Sequence, residues 1–188
     1  MVNDGFEVGI DNALPKNKAK SGEDTTQPDH LARFRLFETG EVIFREGERG
    51  AEAYVIKSGK VSIAQSPKRE LGVIGPGQII GEMAVISDME RIATATAAEE
   101  TVCVALSRLA MRRMMDSVDL EMRTIIEFLV DYIRDKTEGI HVDVEEARRN
   151  QRILEILMTS PDTQTKLALQ EPFFRMLCNS LVERAKTA

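Results

Sequence analysis

Between Phe34 and about Leu106 the apolar positions come in short alternating runs, cut by glycine at Gly40, Gly47, Gly50, Gly59, Gly72, Gly75, Gly77 and Gly81. Val42 and Phe44, Tyr54 and Ile56, Val61 and Ile63, Leu71 and Val73, and Val102 and Val104 each stand two apart, so each pair is expected to share one face of a strand. Many short strands with tight turns predict a barrel, sandwich or jelly roll. Past Leu106 the spacing lengthens. Met111, Met114 and Met115 predict a short helix. Met122, Ile125, Ile126, Leu129, Val130 and Ile133 mark a longer one, capped by Asp116 or Ser117, favoured at its positive end by Asp119 and Glu121, and stopped at Gly139. Asp143 with Glu146 has the spacing of a capping box for a further helix, which carries Ile153, Leu154 and Leu157 up to a break at Pro161. A last helical stretch, interrupted or restarted near Pro172, holds Phe173, Phe174, Leu177, Leu181 and Val182. Strands first and helices afterwards make an α+β chain.

Three segments follow. Residues 1–30 are polar, with an apolar patch at Phe6, Val8 and Ile10 too short to build a core, and read as a disordered tail. Residues 31–138 hold the strands, a hinge and the long helix, and residues 139–188 form a helical extension.

With 188 residues the chain can bury one good core, and 43% apolar with 30% charged residues is an ordinary water-soluble balance. The net charge of -6 gives no general attraction to nucleic acid or an anionic membrane, so any anion must be held locally. No apolar run reaches the roughly 18–20 residues that span a bilayer, and no signal pattern opens the chain, so a cytoplasmic location is expected. Cys103 and Cys178 lie in apolar stretches and are expected as buried free thiols. His30 and His141 are far apart, and no metal site is expected. No nucleophile, base and orienting group cluster and no Walker-type loop is present, so the chain reads as a receptor and not an enzyme. The pairs Arg112-Arg113 and Arg148-Arg149 have acidic neighbours and read as solvated helix faces.

The chemistry concentrates in Gly81-Glu82-Met83-Ala84-Val85-Ile86-Ser87-Asp88-Met89-Glu90-Arg91-Ile92-Ala93-Thr94. A buried cyclic phosphate needs a cation and backbone N–H groups, because an unpaired ion in a low-dielectric pocket is costly. Arg91 can supply the planar fork. A turn opening near Glu82 can supply amides, with the small Gly81 and Ala84 allowing close approach. Glu82 can accept from a ribose hydroxyl.

This block resembles the phosphate-binding cassette of the cyclic nucleotide-binding domain family: Gly-Glu, two small or apolar residues, a short loop, then Arg followed by Ala and often Thr. Upstream, Gly40-Glu41-Val42-Ile43-Phe44, Glu46-Gly47, Tyr54-Val55-Ile56 and Gly59-Lys60-Val61 are similar to the family's strand and turn framework in order and spacing. The resemblance covers about Leu36 to Ile133. It implies a β-jelly-roll (double-stranded β-helix) with a phosphate-binding cassette, followed by C-terminal α-helices. It places Arg91 and the amides of Ala84 and Ile92 on the cyclic phosphate, Glu82 on the ribose, and Gly81 and Met83 in the same turn. Ile63 and Leu71 fall where the family's strands face the base. Glu90 stands where the family often has Pro, a variation similar to that in bacterial catabolite-activator proteins, and is expected to point to solvent. Cyclic-GMP-selective members carry Thr after this Arg, whereas position 92 is Ile, which favours cAMP, with cGMP as the other candidate ligand.

The expected mechanism is a switch in which ligand repositions the helix beginning near Val118, and Ile125, Ile126 or Leu129 closes over the base. The C-terminal helices then pass the change to a protein partner or a second copy. They are also expected to cover surface that helices before the first strand cover elsewhere in the family. Two alternatives remain: a transcription regulator of the catabolite-activator class, and a scaffold with a vestigial pocket. Against the first, residues 139–188 carry seven Lys or Arg and seven Asp or Glu, with no recognisable helix-turn-helix.

Overall fold

Among the described residues, eight strands pair antiparallel into two four-stranded sheets. The computed structural model describes residues 32–67, 69–140 and 143–187; the expected tail over residues 1–30 and both histidines lie outside the described residues. The strands are β1 (Ala32–Phe37), β2 (Val42–Phe44), β3 (Glu52–Ser58), β4 (Val61–Gln65), β5 (Arg69–Ile74), β6 (Ile79–Ile80), β7 (Thr94–Ala97) and β8 (Thr101–Ser107). One sheet runs β1-β8-β3-β6 and the other β2-β7-β4-β5, the jelly-roll-like sandwich that the family resemblance implies and one of the architectures the alternating pattern leaves open.

Period-two alternation divides two cores. In β3, Tyr54 and Ile56 join Phe37, Phe44 and Val61 in one cluster, while Ala53 and Val55 join the helices. In β8, Cys103 and Ala105 take the first side, Val104 and Leu106 the second; Ile80 and Ile79 divide likewise in β6. Strands β3, β6 and β8 are thus buried on both faces, whereas the edge strand β1 leaves Phe34 and Leu36 exposed. Leu71 and Val73 do share a face, but β5 is an edge strand and that face opens on a cavity, which leaves them 38% and 54% exposed.

Six helices are described: α1 (Glu82–Ile86), α2 (Arg108–Asp116), α3 (Leu120–Glu138), α4 (Val144–Thr159), α5 (Pro161–Leu169) and α6 (Pro172–Thr187). The cap of α3 is Asp119, whose carboxylate accepts from the Met122 amide at 2.9 Å, and not Asp116 or Ser117. Ser117 closes α2 instead, its hydroxyl donating to the Met114 carbonyl. Gly139, at φ 68, ends α3 in the left-handed conformation that glycine adopts without a Cβ penalty. Asp143 caps α4 by accepting from the Glu146 amide at 2.8 Å, while the Glu146 carboxylate pairs with Arg149, so only half of a capping box forms. Pro161 opens α5 where a break was expected, because proline at a first helical position has no amide to leave unsatisfied.

Phe173, Phe174, Leu177, Cys178 and Leu181 of α6 are buried with Met122, Ile126 and Leu129 of α3 and with the helix-facing residues of β3, β6 and β8. Each such side chain contributes about 1.5–3 kcal/mol by leaving water. Cys103 and Cys178 are buried and unpaired by disulfide. Arg112, Arg113, Arg148 and Arg149 are exposed.

Candidate functional site

After β6 the chain turns at Gly81, whose φ of 72 suits a residue without a Cβ. A Cβ there would also fall 2.9 Å from the Phe44 ring and closer still to the Arg91 guanidinium. The missing side chain therefore makes the space that the arginine fills.

Arg91 reaches this turn from the segment before β7. Its backbone is fixed on both sides, the amide donating to the Glu48 carbonyl at 2.8 Å and the carbonyl accepting from the Gly47 amide at 2.9 Å. Nη1 donates to the Gly81 carbonyl and Nη2 to the Glu52 carbonyl at 2.6 Å. The guanidinium lies over the Phe44 ring, and the residue is only 6% exposed. Its Nε is buried without a hydrogen-bond partner among the described residues. Burial pulls the guanidinium below its ordinary pKa, while Tyr54, Glu82, Glu48 and Glu52 act in the other direction. An arriving anion would ease that burial cost. Burial, with the neighbouring Glu52 carboxylate, pushes the Tyr54 hydroxyl up to about 12.

Glu82, the first residue of α1, is completely buried. Its Oε1 is ion-paired with Arg184 of α6, and its Oε2 is buried without a partner among the described residues. Arg184 also donates to the Ser180 hydroxyl at 3.1 Å and to the Ile79 carbonyl at 3.4 Å.

These groups surround a cavity of about 370 Å³. Its walls are Phe44, Ile63, Leu71 and Val73 of the second sheet and the segment Gly81, Met83, Ala84, Arg91 and Ile92. Its remaining side is made by Ile133, Arg134 and Thr137 of α3 with Ser180, Glu183 and Arg184 of α6. The charged residues lining it are four arginines, Arg69, Arg91, Arg134 and Arg184, and one glutamate, Glu183. In a chain of net charge -6, that local excess favours an anion.

Of the residues expected at the site, Gly81, Met83, Ala84, Arg91, Ile92, Ile63 and Leu71 come together around this cavity. Glu82 does not line it; Arg184 does, and holds the carboxylate from that side. Ile125, Ile126 and Leu129 do not line it either: Ile126 and Leu129 are fully buried in the helical core and Ile125 packs against that core. The stretch of α3 that reaches the cavity lies about two turns further along, roughly 10 Å at 1.5 Å per residue. Glu90 is exposed as expected, and its carbonyl accepts from Arg134 Nη2 at 3.1 Å.

Arg134, Thr137, Ser180 and Arg184 were not anticipated. Arg134 follows Ile126 and Val130 at four-residue steps, and Arg184 follows Leu177 by seven, so each charge sits in an apolar helical stripe. A cation in such a stripe must find a partner indoors, and that is the signal that marks both.

Residues 34–118 match the family model of the cyclic nucleotide-binding domain. The cyclic AMP receptor protein of Thermus thermophilus is 38% identical over 78 residues, covering 39% of this chain and 36% of that protein. The cAMP-dependent protein kinase regulatory subunit of Dictyostelium discoideum is 34% identical over 98 residues, covering 48% of this chain and 30% of that one. The cGMP-dependent protein kinase of Eimeria tenella is 39% identical over 82 residues, 44% of this chain and 8% of the kinase. The chain therefore spans little more than a third of these relatives at most. Among solved structures, the cAMP-bound form of the EAL enzyme Bd1971 shares the fold, with a TM-score of 0.53 and 24% identity over 70% of this chain and 34% of that chain.

Proposed function

Residues 34–118 being a cyclic nucleotide-binding domain, we propose that this chain is a receptor, without catalysis of its own, that binds cAMP in preference to cGMP and relays its presence through its C-terminal helices. One observation carries the reading: among the described residues four arginines surround one cavity, and two of them, Arg91 and Arg134, keep a buried Nε without a hydrogen-bond partner there. Buried donors without an acceptor favour a ligand that brings one.

Arg91 is the phosphate ligand in this reading. In the described state its Nη atoms rest on the carbonyls of Gly81 and Glu52, and a cyclic phosphate is a stronger acceptor than either. Ile63 and Leu71 offer the base an apolar wall, and Ile133 and Thr137 approach from the helical side. Ile92 lines the cavity without a hydroxyl for guanine, which supports the preference for adenine. Apolar discrimination of this kind is worth only about 1–3 kcal/mol, so cGMP is expected to bind more weakly and not to be refused.

The receiver of the signal is a protein partner or a second copy of the chain, reached through α4 to α6. A DNA-binding role is disfavoured because the apolar face of α6 is buried and Arg184 is engaged inside, which leaves that helix unsuited to a groove.

Calorimetric titration of the full chain with cAMP and cGMP side by side, with Arg91→Ala as control, tests the proposal. We expect cAMP to bind more tightly than cGMP and Arg91→Ala to cost at least about tenfold in affinity, the loss of a buried charge-assisted contact. Equal affinities of parent and variant would refute it.

A further inference from the structure

Glu82 lies at the centre of the site, yet neither of its carboxylate oxygens is open to the cavity. The residue is 0% exposed, Oε1 is taken by Arg184, and Oε2 has no partner among the described residues. Arg184 comes from α6, outside the matched domain of residues 34–118. It is fixed there by the Ser180 hydroxyl at 3.1 Å, by the Ile79 carbonyl at 3.4 Å, and by a contact of Nη1 with the Met83 sulfur at 3.9 Å. Arg184 and Ser180 line the cavity and Glu82 does not, so they stand between the carboxylate and anything in the cavity.

We propose that Arg184 and the end of α6 are a gate that competes with the ligand: a ribose hydroxyl can reach Glu82 only when Arg184 has left it. The inference rests on the receptor reading above and adds the element that responds. A guanidinium and a ribose hydroxyl both seek the same buried acceptor, and the cation is the stronger partner while no ligand is bound. Arrival of the nucleotide changes that balance, because its phosphate engages Arg91 nearby and its ribose supplies a neutral donor to Glu82 without bringing a second charge. Binding and gate opening are then linked equilibria: release of α6 raises affinity, and bound ligand favours release by the same coupling factor. Release of Arg184 loosens the helix whose Phe173, Phe174, Leu177 and Leu181 form part of the helical core, so the consequence of binding appears at α6 itself.

The test uses the full chain with cAMP as probe. Arg184→Met removes the competing cation and keeps the apolar stem, and it is expected to bind at least fivefold more tightly than the parent. Arg184→Lys, which can still pair with Glu82, should fall between the two. Hydrogen exchange on the unmodified parent gives a second readout that needs no variant: saturating cAMP should speed exchange of the amides of residues 172–187 while slowing it around Gly81 to Ala84. A folded Arg184→Met with unchanged or weaker affinity, or α6 amides that exchange no faster in the complex, overturns the gate. Binding to the parent with α6 unmoved overturns the gate alone; failure of parent and variants alike to bind cAMP or cGMP overturns the receptor reading and this inference with it.

Discussion

The Arg91 guanidinium carbon lies 4.2 Å from the centroid of the Phe44 ring. Phe44 in turn stacks on Tyr54 at 6.3 Å, and Tyr54 meets Phe37 edge to face at 5.9 Å. The cation that defines the cavity is thus backed by an aromatic column running into the sandwich core, which holds the guanidinium plane without neutralising its charge.

Phe44→Leu should therefore act on the site as well as on the core. Loss of the cation–π contact and of ring area is expected to cost about 1–2 kcal/mol of folding stability and to weaken cAMP binding by about threefold to tenfold. Urea denaturation and calorimetry on the same preparation check it; full affinity in a destabilised variant would show that the ring does not orient Arg91.

Gly81→Ala puts a Cβ on a left-handed residue and against the Arg91 guanidinium. We expect a loss of about 1–2 kcal/mol from the backbone conformation alone. A further drop in affinity follows because Arg91 must move. A change in thermal midpoint within error, with affinity retained, would contradict the close approach.

Two buried isoleucines of α3, Ile126 and Ile133, should differ in their effect on binding. Ile126→Ala, in the helical core and away from the cavity, is expected to cost about 2–5 kcal/mol and leave affinity within about twofold. Ile133→Ala removes a side chain that lines the cavity and should weaken cAMP binding by at least about threefold. The reverse pattern would return the base contact to the first half of the helix.

Burial pushes the Cys103 thiol up to about 11 and the Cys178 thiol up to about 12, from an ordinary value of 9.0. Both hold their protons more tightly folded than unfolded. As pH rises past about 9 the unfolded chain releases protons first, so stability falls between about pH 9 and 12. Urea midpoints at about pH 7.5 and 10.5 measure this fall, and a double Cys103→Ala, Cys178→Ala variant should show a shallower one. At about pH 8 neither thiol should react with a disulfide reagent until denaturant is added. Prompt labelling of either would contradict their burial.

The sandwich was legible because burial in a strand repeats every second residue and glycines punctuate the turns, so Tyr54 with Ile56 and the break at Gly59 reveal β3 directly. The candidate site was legible because Gly81 and Arg91, which the structure brings together at one cavity, lie within one short stretch. The long helix was readable too, but its cap moved to Asp119, since three nearby residues could each accept a first-turn amide and only the path of the backbone chooses. What stayed hidden depends on tertiary placement. Periodicity identifies the buried face of α3 without saying which turn of that face meets the cavity, so Ile126 and Leu129 were indistinguishable from Ile133. The pairing of Arg184 with Glu82 spans a separation of 102 residues, and no local pattern encodes such a partner.

The sheet shared by the two cores works as a partition. Alternate residues of β3 and β8 belong to different interiors, so a bulky replacement at Val55 or Val104 crowds the helices and leaves the roll intact, whereas one at Ile56 or Cys103 does the opposite. The volume behind the sheet can therefore change without retuning the aromatic column that steadies Arg91 on the other side.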